Sequence, residues 1–215
     1  MPHAILATDG RVLRAAGLRA RRTLLDCVVT ELKLTPYRDI RIADIARRAK
    51  TSNASFYQYF PDLDAAVLAL ADDVARKAFL SPVPTTGGLD REAAAQLVDA
   101  FFRFYRANRT VLRAVEARAA EGDDRFAELH RKIYNGLTTE LERTLITAHP
   151  RAADRNTRVA TAVSLTLLLT AAASQHPRHA GWTVEPTAIR TAVVDLLHTA
   201  ITRPPAIPLT TALPR

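Results

Sequence analysis

Residues 42–70, IADIARRAKTSNASFYQYFPDLDAAVLAL, decide how the first part of this chain folds. Two short apolar patterns with helical spacing lie on either side of Lys50-Thr51-Ser52. Ser52 or Asn53 can cap the second of these helices, because both side chains accept a hydrogen bond from the backbone. A longer amphipathic pattern at residues 19–34 precedes them. Two short helices joined by a tight turn and closed by a third helix are typical of a helix-turn-helix unit.

The second short helix, predicted at residues 53–60, is unusually rich in aromatic side chains. Phe56 and Phe60 are four residues apart, so they share one face and are expected to pack inward. Tyr57, Gln58 and Tyr59 then point away from that face. Their hydroxyl and amide groups suit DNA phosphates and base edges in a major groove. The alternative is that the tyrosines are half-buried core residues with solvated hydroxyls, but the surrounding two-helix pattern favours DNA.

Positive charge is concentrated at the start of the chain. Residues 1–60 hold 11 Lys and Arg against 5 Asp and Glu, whereas residues 61–150 hold 12 against 14. This asymmetry indicates a polyanionic partner for the first part of the chain. The arginines of a predicted basic arm are Arg11, Arg14, Arg19, Arg21 and Arg22. Such an arm can lie along phosphates or enter a minor groove, and a free basic tail is the alternative.

The rest of the chain shows no strand alternation and no repeat, which predicts an all-α fold of about nine helices. The stretch SPVPTTGG at residues 81–88 is the predicted domain boundary. We therefore expect four parts. These are a flexible basic arm at 1–18, a helix-turn-helix domain at 19–80 with a linking helix at 62–79, a larger helical domain at 81–203 and a Pro-rich tail at 204–215.

The segment around the turn resembles the TetR-type transcriptional regulators. The matching residues are Asp44-Ile45-Ala46, Ala49-Lys50-Thr51-Ser52, Ser55-Phe56-Tyr57-Gln58-Tyr59-Phe60 and residues 61–68. The resemblance covers residues 20–75 and implies DNA contacts from Arg41, Lys50, Thr51, Ser52, Asn53, Ser55, Tyr57, Gln58 and Tyr59. The chain departs from the family pattern where Lys50 replaces a glycine, Arg41 replaces a helix-capping Ser or Thr, and Leu63 replaces a lysine. If the backbone at Lys50 is left-handed, the absence of glycine there would lower the stability of the fold by about 1 kcal/mol.

The resemblance further implies a ligand cavity and a dimer interface in the C-terminal helices. The residues proposed to line the cavity are Phe102, Tyr105, His130, Tyr134 and Trp182. The alternative is that these aromatic stripes are ordinary core. The last two predicted helices, 152–175 and 185–202, are rich in small and apolar residues, and an uncovered face there would pair with a second copy. A dimer would place its two DNA-recognition helices, one from each copy, roughly 34–36 Å apart on a palindrome-like operator in double-stranded DNA.

The cysteine content, the N-terminus and the most apolar stretch of the sequence together predict a cytoplasmic protein. Cys27 is the only cysteine, so no intrachain disulfide is possible, which fits a reducing cytoplasm. The N-terminus lacks the pattern of a secretory signal. The most apolar stretch, residues 159–174, carries several hydroxyl side chains and is short for a membrane span, so we expect a buried helix and no membrane.

Patterns that would indicate catalysis are weak. With 7 glycines in the chain there is no phosphate-binding loop, and His176 and His179 flank a proline in a predicted loop without a third metal ligand. We expect no enzyme activity, no cofactor and no metal. The leading hypothesis is a cytoplasmic, dimeric, DNA-binding repressor released from its operator by a small hydrophobic molecule. The alternatives are a helical enzyme or small-molecule carrier, and an interaction module whose basic unit binds protein or RNA.

Overall fold

The structure, a computed structural model, describes residues 5–77, 90–149, 154–175 and 184–203. Its α-helices are α1 (Ala15–Leu34), α2 (Ile42–Arg48), α3 (Asn53–Tyr57), α4 (Leu63–Lys77), α5 (Arg91–Ala120), α6 (Asp124–Ala148), α7 (Arg155–Gln175) and α8 (Pro186–Thr202). A short 3-10 helix, Tyr37–Asp39, joins α1 to α2. The all-α prediction is confirmed.

Eight helices are described where the sequence predicted about nine. The difference arises at Asn108-Arg109, where the sequence predicts a break between two helices, whereas α5 runs through these residues without interruption. Arginine is a good helix former, and asparagine costs only a few tenths of a kcal/mol in a helix interior, so neither residue stops a helix without glycine or proline beside it. The helix ends instead at Ala120, and Gly122 shortly beyond it has a φ of 90°, the left-handed conformation that terminates helices.

The described residues form two compact units, and the chain crosses between them inside helices. One unit contains residues 5–77 and 108–133, and the other contains 90–107, 134–149, 154–175 and 184–203. Both α5 and α6 therefore contribute one part to each unit. The proposed boundary at 81–88 and the Pro-rich tail at 204–215 lie outside the described residues, so the four-part domain division stays a prediction.

The first unit is built on the predicted apolar stripes. Helix α1 packs against α2 and α4, and α2 packs against α3. The fully buried side chains at their centre include Val28, Ile45, Phe56 and Val67. Cys27 is buried as a small apolar residue, as its position on the α1 stripe predicted.

One charged side chain is buried among these apolar residues. Glu31 of α1 is 7% exposed, and its Oε1 accepts a hydrogen bond of 2.7 Å from Arg48 Nε at the end of α2. A buried carboxylate is tolerated only when it is paired, because desolvation of an unpaired charge is costly. The pair therefore fixes the orientation of α2 relative to α1, in addition to the apolar contacts that bring the two helices together.

The second unit has an aromatic centre and an ion pair that links distant parts of the chain. Phe101 packs against Tyr105 and Tyr134 with ring centroids 6.4 Å and 6.5 Å apart. The guanidinium of Arg190 in α8 donates two hydrogen bonds, of 2.6 and 2.7 Å, to the carboxylate of Asp99 in α5. These bonds, and the packing of α7 against α8, join the last two helices to the rest of this unit.

Helix α7 is the one described helix that is long and apolar enough to cross a membrane by length and composition, at residues 155–174 with a mean hydropathy of 1.3. Only 28% of its apolar window is buried within the chain. A core helix of a soluble protein passes the same test. The expectation of a buried helix is therefore met only in part within one chain, because α7 keeps exposed apolar residues such as Leu167.

We predict that Arg48→Ala weakens the first unit because it leaves the Glu31 carboxylate buried without its partner. The free energy of unfolding should fall by about 2 kcal/mol, the lower part of the range for such losses, since Arg48 is itself partly exposed. Urea denaturation would measure the change. The matched control is Arg47→Ala, which removes the same charge from an exposed pair with Asp44 and should cost about 0.5 kcal/mol or less. Equal losses in both variants would contradict the role of the buried pair.

Candidate DNA-binding surface

The turn between α2 and α3 has the geometry that the sequence predicted. Lys50 adopts a φ of 54°, the left-handed conformation that usually belongs to glycine. Its backbone N–H donates to Arg47 O, and the next N–H, of Thr51, donates to Ala46 O. These bonds satisfy the last carbonyls of α2 and reverse the chain direction.

Helix α3 begins at a side-chain cap. The Oγ of Ser52 accepts a hydrogen bond of 3.2 Å from the backbone N–H of Ser55. Helix α2 lacks such a cap, because Arg41 occupies the capping position and its side chain makes no capping bond. The next helix, α4, is capped by Asp62, whose Oδ1 accepts from the Ala65 N–H at 2.7 Å.

Helix α3 ends at Tyr57, whereas the sequence predicted a helix through Phe60, and the three residues that follow Tyr57 lie outside the helix. Together α3 and these three residues separate core from surface. Phe56 and Phe60 are buried, and their ring centroids lie 5.6 Å apart. Tyr57 is 48% exposed, and its ring meets Phe56 edge to face at 5.9 Å. Gln58 is exposed and Tyr59 is half-buried. The aromatic residues therefore divide as predicted, with apolar rings inside and polar groups accessible.

The predicted DNA-contacting residues lie on one continuous stretch of backbone, with Arg41 at the start of α2. The exposed members are Arg41, Lys50, Thr51, Ser52, Asn53, Tyr57 and Gln58, and the half-buried members are Ser55 and Tyr59. The hydroxyls of Ser52 and Ser55 lie 3.1 Å apart beside the beginning of α3. Their accessibility is what a DNA contact requires, and their individual roles stay predictions.

The predicted arm differs from a flexible tail. Helix α1 begins at Ala15, so Arg19, Arg21 and Arg22 belong to a helix. The guanidinium of Arg21 lies 4.9 Å from the centre of the Phe60 ring, and burial lowers its pKa. Arg22 forms an ion pair of 3.1 Å with Asp26. These arginines therefore hold the unit together as well as adding positive charge.

Residues 5–14 form an ordered turn that the sequence analysis missed. Leu6 and Val12 make an isolated antiparallel bridge, and the turn between them has Gly10 at a φ of 84°. The signal was present in Thr8-Asp9-Gly10, since Asp-Gly after a short apolar run indicates a tight hairpin. The hydroxyl of Thr8 contacts the carbonyls at the end of α3.

Asp64 in the first turn of α4 joins three other elements of the first unit. Its Oδ1 accepts a hydrogen bond of 2.6 Å from the Tyr37 hydroxyl, which lies between α1 and α2. Its Oδ2 accepts from Arg118 near the end of α5 at 2.9 Å and from Arg125 at the start of α6 at 3.1 Å. One carboxylate therefore links the helix-turn-helix to the corner between α5 and α6.

Charges around Asp64 shift the ionisation of its neighbours. Burial, together with the bond to Asp64, raises the pKa of Tyr37 and keeps its hydroxyl protonated. Hydrogen bonds to Glu121 and Asp64 raise the pKa of Arg118. The Arg125 guanidinium lowers the pKa of Asp123 to about 2. All of these groups therefore keep their charge states near neutral pH, and the cluster is a stable electrostatic link.

A cleft of about 590 Å³ opens beside this cluster. Its lining residues are Pro36, Tyr37, Arg38, Ile40, Asp62, Leu63, Asp64, Arg118 and Glu121. It is an open surface feature of the first unit, with charged and apolar residues in its lining. Among the described residues, none of those predicted to bind a ligand borders it.

The predicted ligand-binding residues are distributed over both units. Tyr105 and Tyr134 are buried around Phe101, and Phe102 is half-buried in the same unit. His130 is half-buried in the first unit, where burial lowers its pKa. Trp182 lies outside the described residues. The same is true of His176 and His179, and no group of three potential metal ligands occurs among the residues that are described.

Comparison with protein families finds a match to the family of tetracyclin repressor-like C-terminal domains at residues 79–206, more than half of the chain. Comparison with curated protein sequences finds no significant match. The family match rests on the C-terminal helices, whereas the motif discussed above lies in the N-terminal ones. The two observations are therefore independent.

Solved structures with a similar fold span nearly the whole chain. A TetR-family transcriptional regulator from Streptomyces coelicolor has a TM-score of 0.65 at 18% identity, covering 85% of this chain and 80% of that one. FadR from Bacillus subtilis, solved with stearoyl-CoA, has a TM-score of 0.64 at 11% identity over 83% and 98%. Reduced NemR from Escherichia coli has a TM-score of 0.63 at 14% identity over 87% and 100%. At these identities the similarity establishes the fold.

We predict that Lys50→Gly changes stability and DNA binding in opposite directions. Glycine relieves the left-handed strain but makes the unfolded chain more flexible, so the free energy of unfolding should stay level or rise by up to about 1 kcal/mol. DNA affinity should fall, with the slope of log affinity against log salt reduced by about 1, because we expect the Lys50 ammonium to contact a phosphate.

Urea denaturation and DNA titration across a salt series would measure the two effects. The control is Lys33→Gln, which removes a positive charge from the last turn of α1 and should leave the salt slope unchanged. A Lys50→Gly variant with the wild-type slope would show that Lys50 makes no phosphate contact.

Proposed function

This chain belongs to the TetR family of transcriptional regulators, and we propose that it is a dimeric repressor whose affinity for an operator is lowered by a small hydrophobic ligand. The observation that carries the proposal is the division of α3 into two faces. Phe56 and Phe60 anchor the helix in the core, and the exposed Tyr57 and Gln58 are available to DNA. The proposed site of action is the cytoplasm, where the DNA is.

The proposed recognition of DNA rests on the chemistry of the exposed side chains of α2, α3 and the turn between them. Tyr57 and Gln58 offer hydroxyl and amide groups for base edges and phosphates in a major groove. Arg41 and Lys50 add positive charge at either end of α2, where they can contact phosphates. Such a surface combines a salt-dependent attraction with groups that distinguish base pairs, which an operator-binding protein requires.

The ligand is proposed to enter the second unit. Its centre contains the aromatic cluster of Phe101, Tyr105 and Tyr134, with Phe102 beside it. FadR of Bacillus subtilis was solved with stearoyl-CoA, whose acyl chain is apolar. An apolar or aromatic compound of smaller size is the class that this cluster would accept after repacking. His130 and Trp182 stay candidates for further contacts.

Ligand and DNA are proposed to be coupled through the helices that belong to both units. A shift of α5 or α6 would displace Arg118 and Arg125, which both donate hydrogen bonds to Asp64 at the start of α4. Asp64 also holds Tyr37 of the helix-turn-helix. For this path to act as a switch, the ligand must bind the two arrangements of α4 with different affinities.

The dimer is proposed to form through α7 and α8. Beyond the first turn of α7, the exposed positions form a stripe of small and apolar residues, namely Ala160, Val163, Ser164, Leu167 and Ala171. Leu167 is 62% exposed, and Leu196 on the adjacent α8 is 55% exposed. Two such helices from each of two copies would bury these side chains in a four-helix interface. This also explains the low burial of α7 within one chain.

We predict that the protein distinguishes the duplex upstream of its own gene from a scrambled duplex, and that Tyr57→Ala abolishes the distinction. Titration of labelled duplexes across a salt series would measure both affinities. The Tyr57→Phe variant keeps the ring against Phe56 and removes only the hydroxyl. A loss of discrimination equal to that of Tyr57→Ala would assign the readout to the hydroxyl group, and an intermediate loss would divide it between the hydroxyl and the ring.

Equal and weak binding to both duplexes would rule out sequence-specific DNA recognition by this surface. The basic unit would then be a general polyanion-binding surface, and the second unit would be tested for ligand binding or turnover without DNA. A melting curve for each variant separates a local effect from loss of the fold, and Tyr57 is exposed enough that we expect little change in Tm.

We predict that Leu167→Asp breaks the dimer, because it places a charge in the centre of the proposed four-helix interface. Sedimentation should change from a dimer to a monomer, and affinity for the operator should fall by at least about tenfold, since one reading helix is lost. The matched control is Leu34→Asp at the end of α1, where the leucine is 66% exposed. A dimeric Leu167→Asp variant would rule out this interface.

A further inference from the structure

The N-terminal turn is a well-defined hairpin. The Ala7 N–H donates to Arg11 O at 2.8 Å, and the Gly10 N–H donates to Ala7 O at 3.0 Å. With Gly10 left-handed, this is a three-residue hairpin loop that ends in a bulge. The Oδ1 of Asp9 accepts from the Arg11 N–H, which fixes the loop further. The loop is therefore ordered by its own bonds and does not depend on DNA for its shape.

The tip of this hairpin contacts the end of α3. The Thr8 Oγ1 donates a hydrogen bond of 2.8 Å to Tyr57 O and lies 3.1 Å from Gln58 O. The Thr8 N–H also donates to Gln58 O at 3.0 Å. The last carbonyls of a helix have no partner within the helix, so Thr8 supplies the partners that α3 lacks.

Helix α3 needs such support because it is only five residues long. A helix of this length is not stable by its own hydrogen bonds. Phe56 and Phe60 hold it from inside, and Ser52 caps its beginning. The end of the helix is held by Thr8. The carbonyls that Thr8 binds belong to Tyr57 and Gln58, whose side chains are the exposed groups proposed to read DNA.

We propose that residues 5–13 act as a clamp on the end of α3 and that Thr8 is a positioning residue for DNA recognition. The clamp fixes the backbone of Tyr57 and Gln58, so that their side chains meet the major groove in one orientation. The inference rests on the proposed function for its effect on DNA. The clamp itself is a property of the free protein and can be measured without DNA.

The bonds of Thr8 are exposed to solvent, which determines what their loss should change. Water can replace an exposed hydrogen bond, so the global stability should change little. Water cannot hold the carbonyls at a fixed place, so the end of α3 should become more mobile. A change in specificity with little change in Tm is therefore the signature that separates positioning from a general structural role.

The test uses the full-length chain with three substitutions at the hairpin. Thr8→Val removes the hydroxyl and keeps the shape, whereas Thr8→Ser keeps a hydroxyl donor. Gly10→Val disrupts the loop, because a β-branched residue is strained at a φ of 84°. The matched control is Thr30→Val in α1, where the hydroxyl lost is one that donates to Asp26 O of the same helix.

Two measurements are made on each variant. The first is the ratio of affinities for the upstream and scrambled duplexes, which should fall about five- to tenfold in Thr8→Val and further in Gly10→Val. Thr8→Ser and Thr30→Val should stay within about twofold of the wild type. The second is hydrogen exchange in the free protein at the amides of residues 58–60, which donate to carbonyls of α3. Exchange should accelerate in Thr8→Val and Gly10→Val only.

The outcomes separate this inference from the proposed function. Wild-type exchange rates in both Thr8→Val and Gly10→Val would overturn the clamp whatever the DNA result. Faster exchange with an unchanged affinity ratio would overturn the positioning role. If the wild-type protein itself failed to distinguish the duplexes, the proposed function would fail, and Thr8 would have no role in DNA recognition even where exchange confirmed its contact with α3.

Discussion

The burial of two phenylalanines, Phe56 in α3 and Phe60 three residues beyond its end, is the constraint on which the proposed DNA-binding surface depends. Phe56 and Phe60 are four residues apart and fully inside the core, so α3 can take only one rotation about its axis. That rotation exposes Tyr57 and Gln58. The short turn before α3 then needs a left-handed residue, and Lys50 adopts that conformation although it is not glycine. Core packing therefore decides which side chains of this segment are exposed and available for the proposed DNA contact.

Ion pairs and charged hydrogen bonds link the helices of the first unit to one another. Glu31 is buried with Arg48 as its partner, so the first two helices meet through an ion pair as well as through apolar contacts. Asp64 accepts bonds from Tyr37, Arg118 and Arg125, which lie far apart along the chain. Desolvated or shared carboxylates are sensitive to small displacements, because their partners must stay at hydrogen-bond distance. A switch that moves α4 would act on these bonds first.

Continuous helices connect the two compact units, and this distinguishes the protein from a pair of domains joined by a loop. Helices α5 and α6 each contribute residues to both units. A helix is stiff over such lengths because every turn is hydrogen-bonded to the next. Stiff connections transmit a displacement that a loop would absorb, and the proposed coupling between ligand and DNA relies on this property.

Local patterns by themselves determined the helical class, the turn at residues 50–52, a cap at Ser52 or Asn53 and the inward direction of Phe56 and Phe60. Each of these features depends on residues within one or two helical turns. The break predicted at Asn108-Arg109 was wrong, because neither residue stops a helix without glycine or proline beside it. Contacts between distant residues were decided only by the tertiary structure. Thr8 lies 49 residues from Tyr57, and Asp64 lies 54 from Arg118. No periodicity in a sequence encodes such pairs, since they exist only where folding brings the two segments together.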